Sequence, residues 1–97
     1  ANTSWVVFEP NDAALWQRVR MTIASFLDSM WRNGMLAGAS PSEGYFVEIG
    51  SSTMTKDDIM NGRLICNIGI APSRPAEFVV FRVTQHTAEA GGEGEES

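Results

Sequence analysis

One stretch decides the fold, residues 11–34, which reads NDAALWQRVRMTIASFLDSMWRNG. Asn11 or Asp12 offers a side-chain oxygen suited to a helix N-cap, and Asn33-Gly34 is a typical helix stop. Between these signals, apolar residues recur at steps of four, four, three and four, which stacks them on one face of an α-helix. The predicted core face of the helix consists of Leu15, Val19, Ile23, Phe26 and Met30.

Four segments around this helix have the composition of β-strands, because β-branched and aromatic residues dominate them. The third alternates apolar and polar residues, which indicates one buried face, whereas the fourth is apolar on both faces. A central strand of the sheet explains the fourth segment as well as a strand covered by another chain does. The four predicted strands are residues 5–8, Tyr45–Ile49, residues 64–70 and residues 78–84.

The order of elements predicts an α+β fold, a small mixed β-sheet covered by one long amphipathic helix. Residues 38–44 have turn composition, and Thr55 is placed to cap a short helix at Lys56–Met60, with Asp58 in the capping-box position. The full order is β-α-β-(short α)-β-β. Residues 88–97 lack large apolar side chains, so we predict a domain over residues 1–87 followed by a disordered Gly/Glu-rich tail.

Charge and hydropathy exclude several classes of partner. The 97 residues carry a net charge of -5, but four of the twelve acidic residues lie in the last nine positions, which leaves eight acids against seven bases. A nearly neutral body lacks the basic surface that nucleic-acid binding requires. No apolar run approaches the roughly 18–20 residues of a membrane span, so we predict no membrane insertion.

The residues suited to chemistry are few and scattered. Cys66 is the single cysteine, which excludes an internal disulfide and favours a reducing compartment. His86 is the single histidine and has no ligand partner at metal-binding spacing. Asp57 and Asp58 fit the solvated first turn of a helix better than a cation loop. We therefore predict a protein that is not an enzyme and that uses no cofactor and no metal.

Three stretches resemble the C-terminal domain of contractile-tail sheath proteins, the family found in phage tails, R-type pyocins and extracellular contractile injection systems. They are WVVFEPND at residues 5–12, MTKDDIMNGRL at residues 54–64 and IGIAPSRPAEF at residues 68–78. The similarity extends over residues 5–85. Sheath proteins of this family are much longer than this chain, so the resemblance implies that it is the end of a larger subunit.

The resemblance implies a structural role in a polymer. Sheath subunits assemble in the bacterial cytoplasm as six-fold rings stacked helically around an inner tube protein, in a phage tail or an extracellular phage-tail-like particle. Extended arms add β-strands to neighbouring subunits, and contraction drives the tube through a target envelope. The segment expected to take part in strand addition between subunits is Phe81, Arg82, Val83, Thr84 and Gln85.

A second reading comes from a different class of protein. Trp16 and Trp31 flank the helix face and suit a groove for a small ligand. The chain would then be a small non-enzymatic adaptor or ligand-binding α+β module.

Overall fold

A computed structural model describes residues 6–88, and the side chains of residues 10–87. The elements follow the predicted order, and the α+β fold class is confirmed. One addition is a single helical turn in the segment predicted as a turn. In chain order, the helices and strands are β1 Val6–Pro10, α1 Ala13–Arg32, α2 Pro41–Gly44, β2 Tyr45–Ile49, α3 Lys56–Met60, β3 Arg63–Ile70 and β4 Val79–Ala88.

The four strands form one mixed sheet in the order β1-β4-β3-β2. β3 pairs antiparallel with β2 on one side and with β4 on the other. β1 runs parallel to β4 and meets only its last residues, from His86 onward. β4 and β3 are therefore the two inner strands, and β1 and β2 stand at the two ends of the strand order.

The ends of α1 follow from the residues that flank it. Asp12 is the N-cap, and its Oδ1 accepts a hydrogen bond from the Leu15 N–H at 3.1 Å. At the other end, the Asn33 N–H donates to the Ser29 carbonyl, and Gly34 adopts a φ of +77°, which favours glycine. Between the two caps, α1 packs on β2.

The core face of α1 is rotated from the predicted one. Leu15 is buried, and Val19 and Ile23 pack against the core, but Phe26 is 66% exposed and its neighbour Leu27 is buried instead. Each step of four residues turns about 40° around a helix, so a row of such steps drifts sideways. Contacts between the last turns of α1 and the segment before β2 select the drifted row. Met30 is half-buried and lies outside the central cluster.

Other boundaries differ less from the sequence prediction. α2 replaces part of the turn predicted at residues 38–44, with Pro41 in the first turn, where its missing N–H is harmless. β4 begins one residue later than predicted and runs on to Ala88, the first residue assigned to the tail. Trp5 and residues 89–97, which contain the rest of that tail, lie outside the described residues.

The centre of the molecule is a small apolar cluster around β3. Leu64 is 1% exposed and Cys66 is 2% exposed, and they lie on the sheet face that α1 covers. Trp16, Val19 and Ile23 pack against this cluster from α1. The fully buried members are Leu15, Ile49, Met54, Leu64, Ile65 and Cys66.

Asn11 joins three parts of the fold just before α1. Its side chain is buried, and its Oδ1 accepts a hydrogen bond from the Trp16 Nε1–H at 2.7 Å. Its Nδ2 donates to the Arg63 carbonyl at 3.1 Å and lies 3.5 Å from the Ile59 carbonyl. One amide therefore fixes the start of α1 against both α3 and β3.

Replacing this amide should cost more stability than removing the helix cap beside it. Asn11→Ala leaves the Trp16 N–H and the Arg63 carbonyl without their partner, and we expect a loss of about 2 kcal/mol in unfolding free energy. Asp12→Ala removes only the N-cap bond and should cost about 1 kcal/mol. Urea unfolding of both variants tests the order, and equal losses would contradict it.

On the face opposite α1, an aromatic ring covers a glycine. Phe46 and Gly69 are directly paired between β2 and β3, and a Cβ on Gly69 would collide with the Phe46 ring. The same ring meets Phe78 edge-on, with centroids 5.0 Å apart and planes at 87°. Gly69 thus lets Phe46 lie flat on the sheet and reach Phe78, a pairing of glycine and aromatic residue that stabilises strands.

A double-mutant cycle tests this contact. Gly69→Ala displaces the Phe46 ring, and we expect a loss of about 1–3 kcal/mol in unfolding free energy because the site is overpacked. In the background of Phe46→Ala the same glycine substitution should cost much less, since no ring remains to collide with. Additive losses in urea unfolding would show that the two residues do not interact.

Candidate functional site

The outer edge of β4 is only partly paired. β3 pairs with β4 from Val79 to His86, whereas β1 reaches β4 only from His86 onward. Among the strands that the structure describes, none lies beside residues 79–84 on the side away from β3. An unpaired edge of this kind is a template for an added strand.

The alternation of backbone groups identifies the atoms that this edge presents. The Thr87 N–H donates to the Gly62 carbonyl at 2.7 Å, so odd-numbered residues of β4 point their backbone groups toward β3. Even-numbered residues point away from it. Val80, Arg82 and Thr84 therefore present three N–H donors and three C=O acceptors along the open edge.

The side chains beside this edge are apolar and poorly covered. Val79, Phe81 and Val83 pair with Ile70, Ile68 and Cys66, so they share the sheet face on which α1 lies. They are nevertheless 48%, 49% and 40% exposed. Because α1 packs over β2, the half of this face that β4 forms is left bare.

A groove on α1 faces the same side. The flank of α1 that carries Arg20 and Asp28 contacts β2, so the opposite flank, with Arg18, Thr22 and Phe26, turns toward β4. An open groove of about 310 Å³ runs along this flank. It is lined by Leu15, Arg18, Val19, Thr22 and Ile23.

The residues predicted for strand addition all lie in β4, but the open edge begins earlier than predicted. Phe81, Arg82, Val83 and Thr84 are exposed, and Gln85 is half-buried near the end of the open part. The prediction omitted Val79 and Val80, which extend the edge at its start. Their β-branched pair opens the strand, and this signal was present in the sequence. Strand addition at these residues stays a prediction.

The opposite end of the sheet, at β2, is organised differently. Tyr45, Val47 and Ile49 point their backbone groups outward there, because the Gly44 carbonyl on the other parity accepts from the Ala71 N–H of the segment after β3. The Tyr45 N–H already donates to the Pro41 carbonyl of α2. Arg20 of α1 donates from Nη2 to the Ile49 carbonyl at 2.7 Å. No pattern in the sequence predicts this contact, because Arg20 and Ile49 are 29 positions apart.

A hydrogen-bonded trio ties α1 to the start of β2. The Tyr45 hydroxyl donates to Asp28 Oδ1 at 2.9 Å, and Arg32 Nε donates to Asp28 Oδ2. The hydrogen bond from Arg32, followed by that from Tyr45, lowers the pKa of Asp28 below its ordinary value. Partial burial, and then the bond to Asp28, raises the pKa of the Tyr45 hydroxyl.

Of the groups singled out for chemistry, Asp57 and Asp58 are engaged in ion pairs, Cys66 is buried, and His86 is exposed. Arg63 donates to Asp58 and to Asp57, each at 2.9 Å, so both carboxylates form ion pairs. The bond from the Thr55 N–H, then that from Arg63, lowers the pKa of Asp58. Burial raises the pKa of the Cys66 thiol, which disfavours the reactive thiolate. Among the described side chains, those of residues 10–87, no three His, Cys, Asp or Glu residues are grouped to hold a metal ion.

The apolarity of the helices and the family of the chain both bear on the nature of the site. In the described part of the chain, no helix has the length and apolarity to cross a membrane. Residues 1–86 match the family model described as phage tail sheath C-terminal domain. The chain belongs to the phage tail sheath C-terminal domain family.

Solved structures support this membership. A chain in the cryo-EM structure of the anti-feeding prophage (AFP) baseplate, 6-fold symmetrised, is 45% identical, with a TM-score of 0.67 over 81% of this chain and 22% of that chain. A chain in the PVC sheath complex, an extracellular contractile injection system in the contracted state, is 46% identical, with a TM-score of 0.65 over 80% of this chain and 22% of that one. No curated protein sequence matches the chain.

This sheath C-terminal domain therefore spans 22% of the length of either solved relative. The open edge at residues 79–84 lies inside the region that the sheath family model matches. The edge thus belongs to the sheath domain proper and not to the sequence that follows it.

The trio at β2 predicts a stability difference that depends on pH. Because the folded-state pKa of Asp28 is lowered, its contribution is present above the ordinary pKa of 3.8 and is lost as pH falls through the lowered value. Asp28→Asn should therefore be less stable than the parent near neutral pH, and the gap should close in acid. Urea unfolding of both proteins, from neutral pH down to acid pH, measures the difference in unfolding free energy.

Glu77→Gln is the matched control for this experiment. Glu77 is exposed and lies 3.9 Å from Arg74, a separation at which a surface ion pair contributes little. The control should show almost no gap at any pH. A constant gap for Asp28→Asn would contradict the assigned role of its charge.

Proposed function

We propose that this chain is the C-terminal part of a contractile-sheath subunit and that it polymerises by accepting a β-strand from a neighbouring copy on the open edge of β4. The family membership supports a structural role. The likeness to a chain of the PVC sheath complex supports assembly with other sheath subunits. The observation that carries the proposal is that no described strand pairs with the outer edge of residues 79–84, which lies beside a bare apolar face.

An added strand has two sources of binding energy at this edge. Its backbone forms hydrogen bonds with Val80, Arg82 and Thr84, and every second side chain points into the space between α1 and β4. Val79, Phe81 and Val83, each about half exposed, become covered by those side chains. The incoming strand therefore needs apolar residues at alternate positions.

The magnitudes indicate that a single added strand is held weakly. Each of the six edge hydrogen bonds contributes about 0.5–1.5 kcal/mol to binding. Each newly covered apolar side chain contributes about 1 kcal/mol more. Against this stands an association cost of about 4–15 kcal/mol for a free partner. A strand tethered to a subunit that makes further contacts avoids much of that cost, so stability arises in the polymer.

The remaining parts of the proposal concern the whole particle. The subunits form six-fold rings stacked around an inner tube, and contraction moves the subunits as rigid bodies while the added strands hold them together. The contraction drives the tube through a target envelope. Support for these steps comes from the resemblance of residues 5–85 to the sheath family. The proposed role is mechanical and requires no catalysis, cofactor or metal.

The ligand-binding alternative fits the groove less well. The groove is open and lined by residues of one helix, Leu15 to Ile23. Small-molecule sites usually enclose most of the ligand surface and converge several polar groups on it. An extended strand, which needs one apolar wall and a row of backbone groups, matches the geometry better.

A proline in the open edge tests strand addition. The Arg82 N–H points away from β3, so Arg82→Pro leaves the β3–β4 hydrogen bonds in place while it removes one edge donor and places a ring in the path of a new strand. A synthetic peptide of residues 79–88, which has apolar residues at alternate positions, serves as the probe. We expect the peptide to slow amide exchange at Val80, Arg82 and Thr84 of the parent chain.

Arg82→Pro should weaken peptide binding by about tenfold or more, because both the donor and the access are lost. Arg82→Ala is the matched control, since it removes the side chain, including its 3.4 Å approach to the Thr53 carbonyl, and keeps the N–H. The control should bind as the parent does. Unchanged amide exchange in the parent, even with excess peptide, would refute strand addition at β4.

A further inference from the structure

We propose that Arg20 closes the β2 edge of the sheet and so restricts strand addition to the β4 edge. Arg20 would then be a specificity-determining residue for assembly. The inference rests on the proposed function, because it assumes that strands are added to this sheet. It goes beyond that function in explaining why only one of two available edges is used.

Some of the backbone groups on the outer edge of β2 are already hydrogen-bonded. Its outward-facing residues Tyr45, Val47 and Ile49 carry six N–H and C=O groups, as many as the open edge of β4. The Tyr45 N–H is already bonded to the Pro41 carbonyl, and the Ile49 carbonyl is bonded to Arg20 Nη2 at 2.7 Å. Both ends of the β2 edge are therefore engaged, and only the centre at Val47 remains complete.

The Arg20 side chain also opposes an added strand at β2 through its bulk and its charge. The Arg20 guanidinium lies where the backbone of an added strand would approach the Ile49 carbonyl. A charged side chain placed on an edge strand is a common device against unwanted strand pairing. Because the side chain comes from α1, the helix that covers the sheet also guards its edge.

The position of Arg20 has an energetic cost. Arg20 Nε is buried and has no hydrogen-bond partner among the described residues, a defect that destabilises the folded state. Several other side chains would fill this position without leaving a buried donor unpaired. The fold thus accepts this cost at Arg20 while the bond from Nη2 to the Ile49 carbonyl is kept.

The consequence is an asymmetric sheet. A sheet with two open edges can grow in both directions, with no limit on how many strands each copy accepts. With β2 closed, strands are added on the β4 side of the sheet alone. Growth in a single direction suits a polymer with a fixed subunit arrangement.

The test compares Arg20→Met with the parent chain, using the same peptide of residues 79–88. Methionine keeps the length and apolar stem of the side chain but cannot donate to the Ile49 carbonyl. In the parent, peptide should protect amides of β4 and leave the Val47 and Ile49 amides unchanged. In Arg20→Met, we expect exchange at Val47 and Ile49 to slow by about tenfold as a second peptide binds.

Two further variants make the reading independent of folding. Arg20→Lys keeps a charged donor and should keep β2 closed, so a folding defect alone would not reproduce its behaviour. Arg74→Met removes an arginine that is exposed in the segment before β4 and should behave as the parent does. Thermal unfolding shows which variants are folded, and exchange is compared among those.

The outcome is decided at β2, whatever happens at β4. Protection of Val47 in Arg20→Met but not in Arg20→Lys supports the inference, even if the parent shows no binding at β4 and the proposed function fails. Binding at β4 with no new protection at Val47 in Arg20→Met supports the proposed function and overturns the role of Arg20. Protection of Val47 in the parent also overturns it.

Discussion

The antiparallel pairing of β3 with β4 is the constraint on which the rest of the molecule depends. It extends from Ile70 opposite Val79 to Arg63 opposite His86, the longest ladder in the sheet. Leu64, Ile65 and Cys66 of β3 are buried in succession, so both faces of the strand are covered there, whereas several apolar side chains of β4 are exposed. The ladder thus builds the core through β3 and also carries β4, whose apolar side chains Val79, Phe81 and Val83 are partly exposed.

The position of α1 explains why the two ends of the sheet differ. A single helix cannot cover four strands, because its diameter with side chains is about 10–12 Å and strands lie about 4.8 Å apart. The bonds from Arg20 to Ile49 and from Tyr45 to Asp28 hold α1 over β2. Cover gained at β2 is lost at β4, and the bare residues Val79, Phe81 and Val83 follow from that choice.

Local signals in the sequence were sufficient for the elements but not for their orientation. The capping box of Thr55 and Asp58 and the stop at Asn33-Gly34 are formed as predicted, and Asp12 is the N-cap of the two candidates, because each signal depends on residues within one turn. Phe26 was misplaced because apolar spacing defines a stripe and not the side of the stripe that docks. Only the contacts of Asp28 and Trp31 with the segment around β2 fix that side.

The same limit applies to the candidate site. Residues 78–84 were recognised as apolar on both faces, and two explanations were left open, a central strand or a strand covered by another chain. The two are compatible in this fold, because β4 is an inner strand of the order and no described strand pairs with the outer edge of residues 79–84. Arg20 could not be recognised, since its role depends on a carbonyl 29 positions away in the chain.

Under the proposed strand addition, a weak edge would suit a sheath whose subunits rearrange. Strand addition is held by bonds of modest individual strength, and the bare face beside β4 adds an apolar contact that does not depend on exact direction. Under the proposed strand addition, a subunit would tilt about an added strand while its backbone bonds persist, provided that the strand is tethered at both ends. An edge that bound a free strand tightly would also capture strands outside the lattice. The two proposals, weak binding at β4 and a closed β2, would therefore serve the same end.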